Sequence, residues 1–397
     1  MSAVAENVQN AEYVDSWNRI LAPKFIKYKH IMVDGLTHHS EAIFTSLPVR
    51  EGDRVLDIGC GFGDTAIKLA QRVGPRGKVV GLDCCDAFLE YGRKEAAKLG
   101  LENISFVNGD ALLCHFEPEY DFVFSRFGTM FFANPVEGLR NMRTALKPGG
   151  VMTHIVWRTR DDNPWLSMAK EVVLKFLPTP GDDALTCGPG PFAMADEPMV
   201  TKMMEIAGYS DITFRRVDAP VLVGKNVEDA VGFQLAIGPA GEVFRQAGAL
   251  AEAKRAEIEA GIATAINAQK KDTDGIVMDS SAWIISGKNP VEAAPRRHHE
   301  TTARPASLDS VGELAAVTHE LNQPLMAAGT YTRLVAEALR TGQGDPDALA
   351  ETARKAAAQI ERAAAVMRRL RALVRLDRSS HTACRVDHIV RETIDQC

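Results

Sequence analysis

No apolar run in this 397-residue sequence approaches the ~20 residues that a membrane-spanning helix needs. The first ten residues are polar and lack the apolar core of a secretory signal, so none is expected. Basic charge is not in excess: 46 Lys and Arg stand against 52 Asp and Glu, a formal net charge of -6. That argues against a nucleic-acid-binding surface over the whole molecule, and neither nucleic acid nor a membrane is an expected partner. The seven cysteines, at 60, 84, 85, 114, 187, 384 and 397, form no Cys-x-x-Cys pair. Neither a disulfide framework nor a zinc site is therefore expected, no metal is implied, and the expected compartment is a reducing cytoplasm.

The chain that remains is 46% hydrophobic and 25% charged, the make-up of an ordinary globular protein. Its length predicts two to three domains. Composition changes near residue 290. Lys288 to Pro305 holds Pro290, Pro295 and Pro305 with Arg296, Arg297, His298 and His299, and shows no periodicity. It reads as a linker, and the expected divisions are 1–288, a linker at 289–306, a helical segment at 307–378 and a tail at 379–397.

In the first part, strand-like runs alternate with amphipathic stretches. Strands are expected at Arg54 to Ile58, Lys78 to Leu82, Ile104 to Val107, Tyr120 to Ser125 and Val151 to Trp157. Helices are expected from Thr65 to Val73, Ala87 to Leu99 and Val136 to Leu146, the last stopped by Pro148-Gly149-Gly150. This spacing implies an α/β fold, a parallel sheet with helices on both faces. Met199 to Ala207 reads as a helix and Val243 to Ala268 as one long helix. Ile212 to Val217 and Ile276 to Ile285 read as two antiparallel strands at the sheet edge.

The densest chemical signal is Val55-Leu56-Asp57-Ile58-Gly59-Cys60-Gly61-Phe62-Gly63-Asp64-Thr65. A buried strand enters a turn with glycine at every second position, which lets the backbone pass close to a ligand. Asp83, at the end of the second strand, is placed to accept from both ribose hydroxyls of a nucleoside. Asp110, after the third strand, is placed to accept from the exocyclic amine of adenine. A dinucleotide would need its third glycine at 64, where Asp64 stands, and Asp57 would repel a pyrophosphate. The acidic loop suits a ligand with a cation and no phosphate, and S-adenosylmethionine, with a sulfonium and an amino group, is such a ligand.

Residues 50 to 160 resemble class I S-adenosylmethionine-dependent methyltransferases, near the quinone and small-molecule branch. The matching residues are Asp57 to Gly63, Asp83, Gly109-Asp110-Ala111 and Leu146-Lys147-Pro148-Gly149-Gly150. The resemblance implies a Rossmann-like sheet over 1–288, S-adenosylmethionine as cofactor and a small-molecule methyl acceptor. By it, Asp57, Gly59, Cys60, Gly61, Gly63, Asp83, Cys84, Asp110, Ala111 and Ser125 hold the donor. Ser125 is expected near the donor methyl. His154, inside a strand, reads as a core histidine rather than a base, and for Arg126 packing, an ion pair and substrate contact stay open. His38-His39 reads as surface or N-terminal lid. Ala11 to Leu36, with Tyr13, Trp17, Phe25 and Tyr28, is equally lid or core. Asn163-Pro164-Trp165 and Cys187 to Phe192 read as loops over the site.

The second signal is Thr318-His319-Glu320-Leu321-Asn322-Gln323-Pro324-Leu325, a histidine and acid beside a proline inside a helical pattern. A second helical repeat from Leu349 to Val374 follows the breaker Thr341 to Pro346. Two such helices cannot bury their apolar stripes on each other alone, so a four-helix bundle in a homodimer is expected. The string resembles the phosphoacceptor hairpin of sensor histidine kinases, over about Leu308 to Leu376. That implies His319 as phosphoacceptor, Glu320 as its base, Gln323 as a water-orienting residue, and a receiver domain or partner kinase as partners. The tail then reads as the start of a truncated ATP-binding domain, and the chain is not expected to bind ATP or to phosphorylate itself. Two functions follow: methyl transfer coupled to this module, or a signalling protein whose methyltransferase fold is a sensor.

Overall fold

The computed structural model describes residues 11–179, 189–273 and 275–291, and residues 349–357 except 351 and 356. The chain divides into two units, Ser2–Arg296 and Arg297–Cys397 with Met1. In the second unit the described residues 349–350, 352–355 and 357 are helical. The expected hairpin, with His319, Glu320 and Gln323, lies otherwise outside the described residues.

The first unit is a Rossmann-like α/β fold. Its sheet runs in the order β3-β2-β1-β4-β5-β8-β6, with a short β7 beside β8. The strands are β1 Arg54–Ile58, β2 Lys78–Asp83, β3 Ile104–Asn108, β4 Tyr120–Arg126, β5 Leu146–Trp157, β6 Ser210–Gly224, β7 Lys271–Thr273 and β8 Gly275–Lys288. The first five pair in parallel, and β8 pairs antiparallel to both β5 and β6. The two segments expected as antiparallel strands at the sheet edge are found there: β8 lies beside β5, and β6, antiparallel to it, takes the outermost place.

Leu56, Ile58, Phe122 and Phe124, from adjacent strands, are all fully buried. Near-continuous apolar runs of this kind are what a sheet covered on both faces requires. Ala22–Lys27 (α1) and Leu36–Phe44 (α2) precede the sheet, and Asp64–Val73 (α3), Asp86–Lys98 (α4) and Pro135–Ala145 (α5) connect its strands. The chain leaves β1 toward β2 and β3, then returns to β4 on the other side. Right-handed crossovers therefore put α3 and α4 on one face and α5 on the other. The gap between the carboxyl ends of β1 and β4 is the switch point, where ligands of open α/β sheets bind.

Three local readings change. Tyr120 pairs with Leu146 and Phe122 with Val151, so Lys147 to Gly150 bulges out within β5 instead of preceding it. Asn163-Pro164-Trp165 is the start of helix α6, Pro164–Val173, with proline at its first position. Beyond α7, Glu197–Ile206, and α8, Val227–Ala236, the expected single helix over 243–268 is three: α9 Gly238–Ala247, α10 Ala249–Ala253 and α11 Arg255–Gln269. Gly248, at φ 54° and ψ -122°, turns the chain between the first two.

Candidate functional site

The turn after β1 is held by backbone bonds from Gly59 and Cys60 to the Leu82 carbonyl, at 2.8 and 3.1 Å. Gly61 N–H donates to Asp83 Oδ2 at 2.9 Å, and Cys85 N–H donates to Asp83 Oδ1 at 2.9 Å. Asp83 therefore ties the turn after β1 to the turn after β2. The Cys84 N–H also favours the charge, the carboxylate keeps acceptor capacity beyond these three donors, and the residue lines the cavity described below. Burial pushes its carboxyl up to about 6, against the backbone N–H groups that favour the charge.

The alternate glycines do different work. Gly61 is at φ 53°, and a Cβ there would meet nothing within 4 Å, so its backbone is open to the cavity. Gly63, at φ 82°, faces inward: a Cβ would come 2.7 Å from the Phe106 ring and 3.0 Å from Gly92 Cα. Gly63 is thus needed for packing and does not line the cavity.

The other expected donor residues divide in the same way. Cys60, Cys84, Asp110, Ala111 and Gly59 line the cavity. Asp110 Oδ1 accepts from Leu112 N–H at 2.9 Å, which closes the turn after β3. Burial pushes the Cys60 and Cys84 thiols up, so neither is a ready nucleophile. Asp57 and Ser125 do not line the cavity. Asp57 is fully buried beneath the turn, where Oδ2 accepts from Thr65 Oγ1 at 2.6 Å and burial pushes the carboxyl up to about 7. Ser125 is buried behind Gly128, whose added Cβ would sit 2.9 Å from Ser125 Oγ. Its place is one layer below the cavity surface.

Arg126 lines the cavity and pairs with Asp64 at 2.7 Å, which leaves the pair nearly neutral. His154 is fully buried, bonded through Nδ1 to Thr129 Oγ1 at 2.8 Å, and burial pushes it down to about 3. It is a neutral core histidine. His39, expected at the surface, is instead fully buried: Nε2 meets Ser280 Oγ at 3.0 Å and its ring packs edge-on against Phe127 and Trp157.

These residues surround a cavity of about 720 Å³, within the ~300–1,000 Å³ usual for small-molecule sites. The N-terminal segment is one wall of it. Trp17 packs edge-on against Phe25 and Phe131, at 5.2 and 5.1 Å between ring centres, and Asn18 Nδ2 donates to the Cys84 carbonyl at 3.0 Å. Pro189 to Ala193 form another part of the wall, while Cys187 and Gly188 lie outside the described residues.

Beyond β4 the lining turns aromatic. Phe127 stacks on Trp157 at 4.0 Å, Trp157 meets Trp165 edge-on at 5.2 Å, and Phe233 lies parallel to Trp165 at 6.5 Å. Arg160, Lys170 and Glu242 are the charged residues there. Sequence reasoning placed Trp165 over the site, in an expected loop, and missed the rest of this half. The pair Asn163-Pro164 signalled a helix start and Asn226, which accepts from Asp229 N–H at 2.9 Å, signalled another. Nothing along the chain signalled that α8 faces the same cavity as α6.

Among the described residues, no group of three or more His, Cys, Asp or Glu is placed to hold a metal ion, and no helix is long and apolar enough to cross a membrane.

Residues 50–179 match a family model described as a methyltransferase domain. A demethylmenaquinone methyltransferase of Staphylococcus aureus is 32% identical over 153 residues, which is 38% of this chain and 62% of that protein. The chain thus spans less than two thirds of the curated relatives it matches. Among solved structures, a SAM dependent methyltransferase from Aquifex aeolicus aligns at 24% identity and TM-score 0.35, over 45% of this chain and 83% of that one. The phosphoethanolamine N-methyltransferase 2 of Haemonchus contortus, in complex with S-adenosyl-L-methionine, aligns at 17% identity and TM-score 0.44, over 70% and 60%.

Proposed function

We propose that the class I methyltransferase domain carried by residues 50–179 binds S-adenosylmethionine in this cavity and serves methyl transfer to a small, flat, largely apolar acceptor of quinone-like type. The observation that carries the reading is Asp83. It lines the cavity with acceptor capacity to spare, beside an open glycine backbone at Gly61 and acidic Asp110. That set fits a nucleoside with a cationic, phosphate-free tail.

S-adenosylmethionine, when bound, supplies an electrophilic methyl group on a positively charged sulfur. The chain's own part is to hold and to shield. Asp83 accepts from ribose hydroxyls, and Asp110 with Ala111 receives the adenine. Trp17, Phe25 and Phe131 keep water from the donor side, while Phe127, Trp157, Trp165 and Phe233 hold the acceptor ring. Orientation of two bound reactants is worth a large share of the barrier for an in-line displacement. The name of the Staphylococcus aureus relative and the aromatic lining support a quinone-like acceptor.

Calorimetric titration of the whole chain should give one site for S-adenosylmethionine and no heat with an ATP analogue. No heat with S-adenosylmethionine would overturn the reading. Donor binding without transfer of labelled methyl to any component of a metabolite extract would favour a sensor role instead.

For the C-terminal part the support is the string His319 to Leu325 alone. On it we propose a homodimerising hairpin in which His319 receives phosphate, Glu320 draws the ring proton and Gln323 orients water, in exchange with a partner kinase or receiver domain. Deleting residues 291–397 should turn a dimer into a monomer in light scattering and abolish phosphate uptake from a related kinase. His319→Ala should abolish the uptake and keep the dimer; a deleted form that stays dimeric would reject the hairpin as the interface.

A further inference from the structure

Charge is divided unevenly along the cavity. Asp83 and Asp110, at the ends of β2 and β3, make the donor side acidic. Of the other charged lining residues, Asp64 and Arg126 neutralise each other at 2.7 Å. Glu242 is engaged by Arg245 at 2.5 Å and by Gln246 at 2.6 Å. Two cations remain, Arg160 just after β5 and Lys170 on α6.

Among the described residues neither cationic head meets an acid. The nearby carboxylate of Asp162 already accepts from Arg158 at 3.2 Å and Thr159 at 2.7 Å, and lies 3.8 Å from Arg216. The Arg160 guanidinium lies over the face of the Phe192 ring, 5.7 Å away. The Lys170 ammonium is driven down from its ordinary value by burial and then by the charge of Arg160. Two like charges share an aromatic-walled space in which no described acid stands against either, and an anion would relieve their repulsion. The guanidinium fork and the ammonium both suit a carboxylate, the fork bidentately. From β2 to β5 there are three strand spacings in the sheet order, roughly 14 Å, so this cationic end is well separated from the acidic one.

We infer that Arg160 and Lys170 recognise a carboxylate carried by an aromatic methyl acceptor, at the end of the cavity away from the donor. The inference rests on the cavity being the site of methyl transfer. It deepens that reading by naming the acceptor class: a flat ring bearing an acid, rather than a neutral one. The carboxylate bonds to the two cations, and the ring then lies among Trp157, Trp165 and Phe233. Specificity arises because a carboxylate bonds to both cations and a neutral ring does not.

The test is calorimetric titration of the full chain with two probes of one skeleton, a hydroxynaphthoate and the corresponding methylnaphthol, each with and without S-adenosylhomocysteine. The naphthoate should bind more tightly by about tenfold or more, as expected for charge-assisted hydrogen bonds. That preference should vanish when Arg160→Gln and Lys170→Gln are combined. It should persist when Arg160→Lys and Lys170→Arg are combined, which keeps both charges. The affinity for S-adenosylhomocysteine should be the same in all three proteins, which also shows that the variants fold. Equal binding of the two probes, no binding of the naphthoate, or a preference that survives the double glutamine variant overturns the inference. Should S-adenosylhomocysteine fail to bind while the naphthoate preference holds, the donor reading falls and the anion site stands.

Discussion

Asp83→Ala should lower the affinity for S-adenosylmethionine by about a hundredfold or more. Two losses combine. The carboxylate's hydrogen bonds to ribose hydroxyls disappear, each worth roughly 1.5–3 kcal/mol for a charged acceptor. The Gly61 and Cys85 N–H groups also lose their acceptor, so the turn beside the donor is no longer tied to β2. Stability at neutral pH should change less than affinity, because burial already penalises this carboxylate. Calorimetry gives the affinity and a thermal melt checks the fold; undiminished affinity in a folded variant would remove Asp83 from the donor site.

The pH dependence of the same group separates folding from binding. The folded-state pKa is raised from 3.8 to about 6. Between those values the folded chain holds a proton that the unfolded chain has released, so unfolding releases one. The contribution of Asp83 to stability therefore falls as pH rises through that window and levels off above it. Donor binding runs the other way, since the ionised form is the better acceptor. Affinity should rise from pH 5 to 7 and then flatten, and a flat profile across that range would disconnect Asp83 from the ligand.

The second large effect is expected at Gly63→Ala, on stability. A left-handed backbone costs an L-residue roughly 1–2 kcal/mol. The added Cβ also overlaps the Phe106 ring at 2.7 Å. The ring also fills the space beside Gly81 and Gly92, where an added Cβ would likewise come within 2.9 and 2.7 Å of it, so little room is left for it to shift. Overpacking of this kind adds roughly 1–3 kcal/mol. Together the terms predict a melting temperature lower by about 10 °C. Gly61→Ala is the contrast: its Cβ enters open space, so it should melt closer to the unsubstituted chain while losing donor affinity. If the two substitutions depress melting equally, the distinction between a packing glycine and a ligand-facing glycine is wrong.

Much of the glycine-turn half of the cavity could be read along the chain because it is built from local signals. Strand β1, the glycine turn and helix α3 are contiguous, so periodicity and turn chemistry place them together. Asp83 and Asp110 end consecutive parallel strands, and short right-handed crossovers leave those ends little freedom to part. Even here the layer depth of a residue escaped the pattern. Asp57 and Ser125 belong to the correct strands, yet their side chains lie under the surface that Gly61 and Asp83 expose.

The aromatic half had little local signal, and only Asn163-Pro164-Trp165 was expected over the site, as a loop. Trp157, Trp165, Lys170, Phe233 and Glu242 come from one strand and three helices, and only packing brings them to one space. His39 meets Ser280 across 241 residues, a contact that no window of sequence contains. The insertion of β8 between β5 and β6 is likewise a choice among pairings that all satisfy the same alternating apolar pattern. Gly248 inside a helical run costs only about 1 kcal/mol, too little for composition to announce the break that shapes this wall. Residue order thus carried the glycine turn proposed to meet a nucleoside, because hydrogen bonding within a few residues dictates it. The aromatic pocket and its two cations depend on how distant surfaces exclude water from one another, and that is decided when the whole sheet and its helices pack.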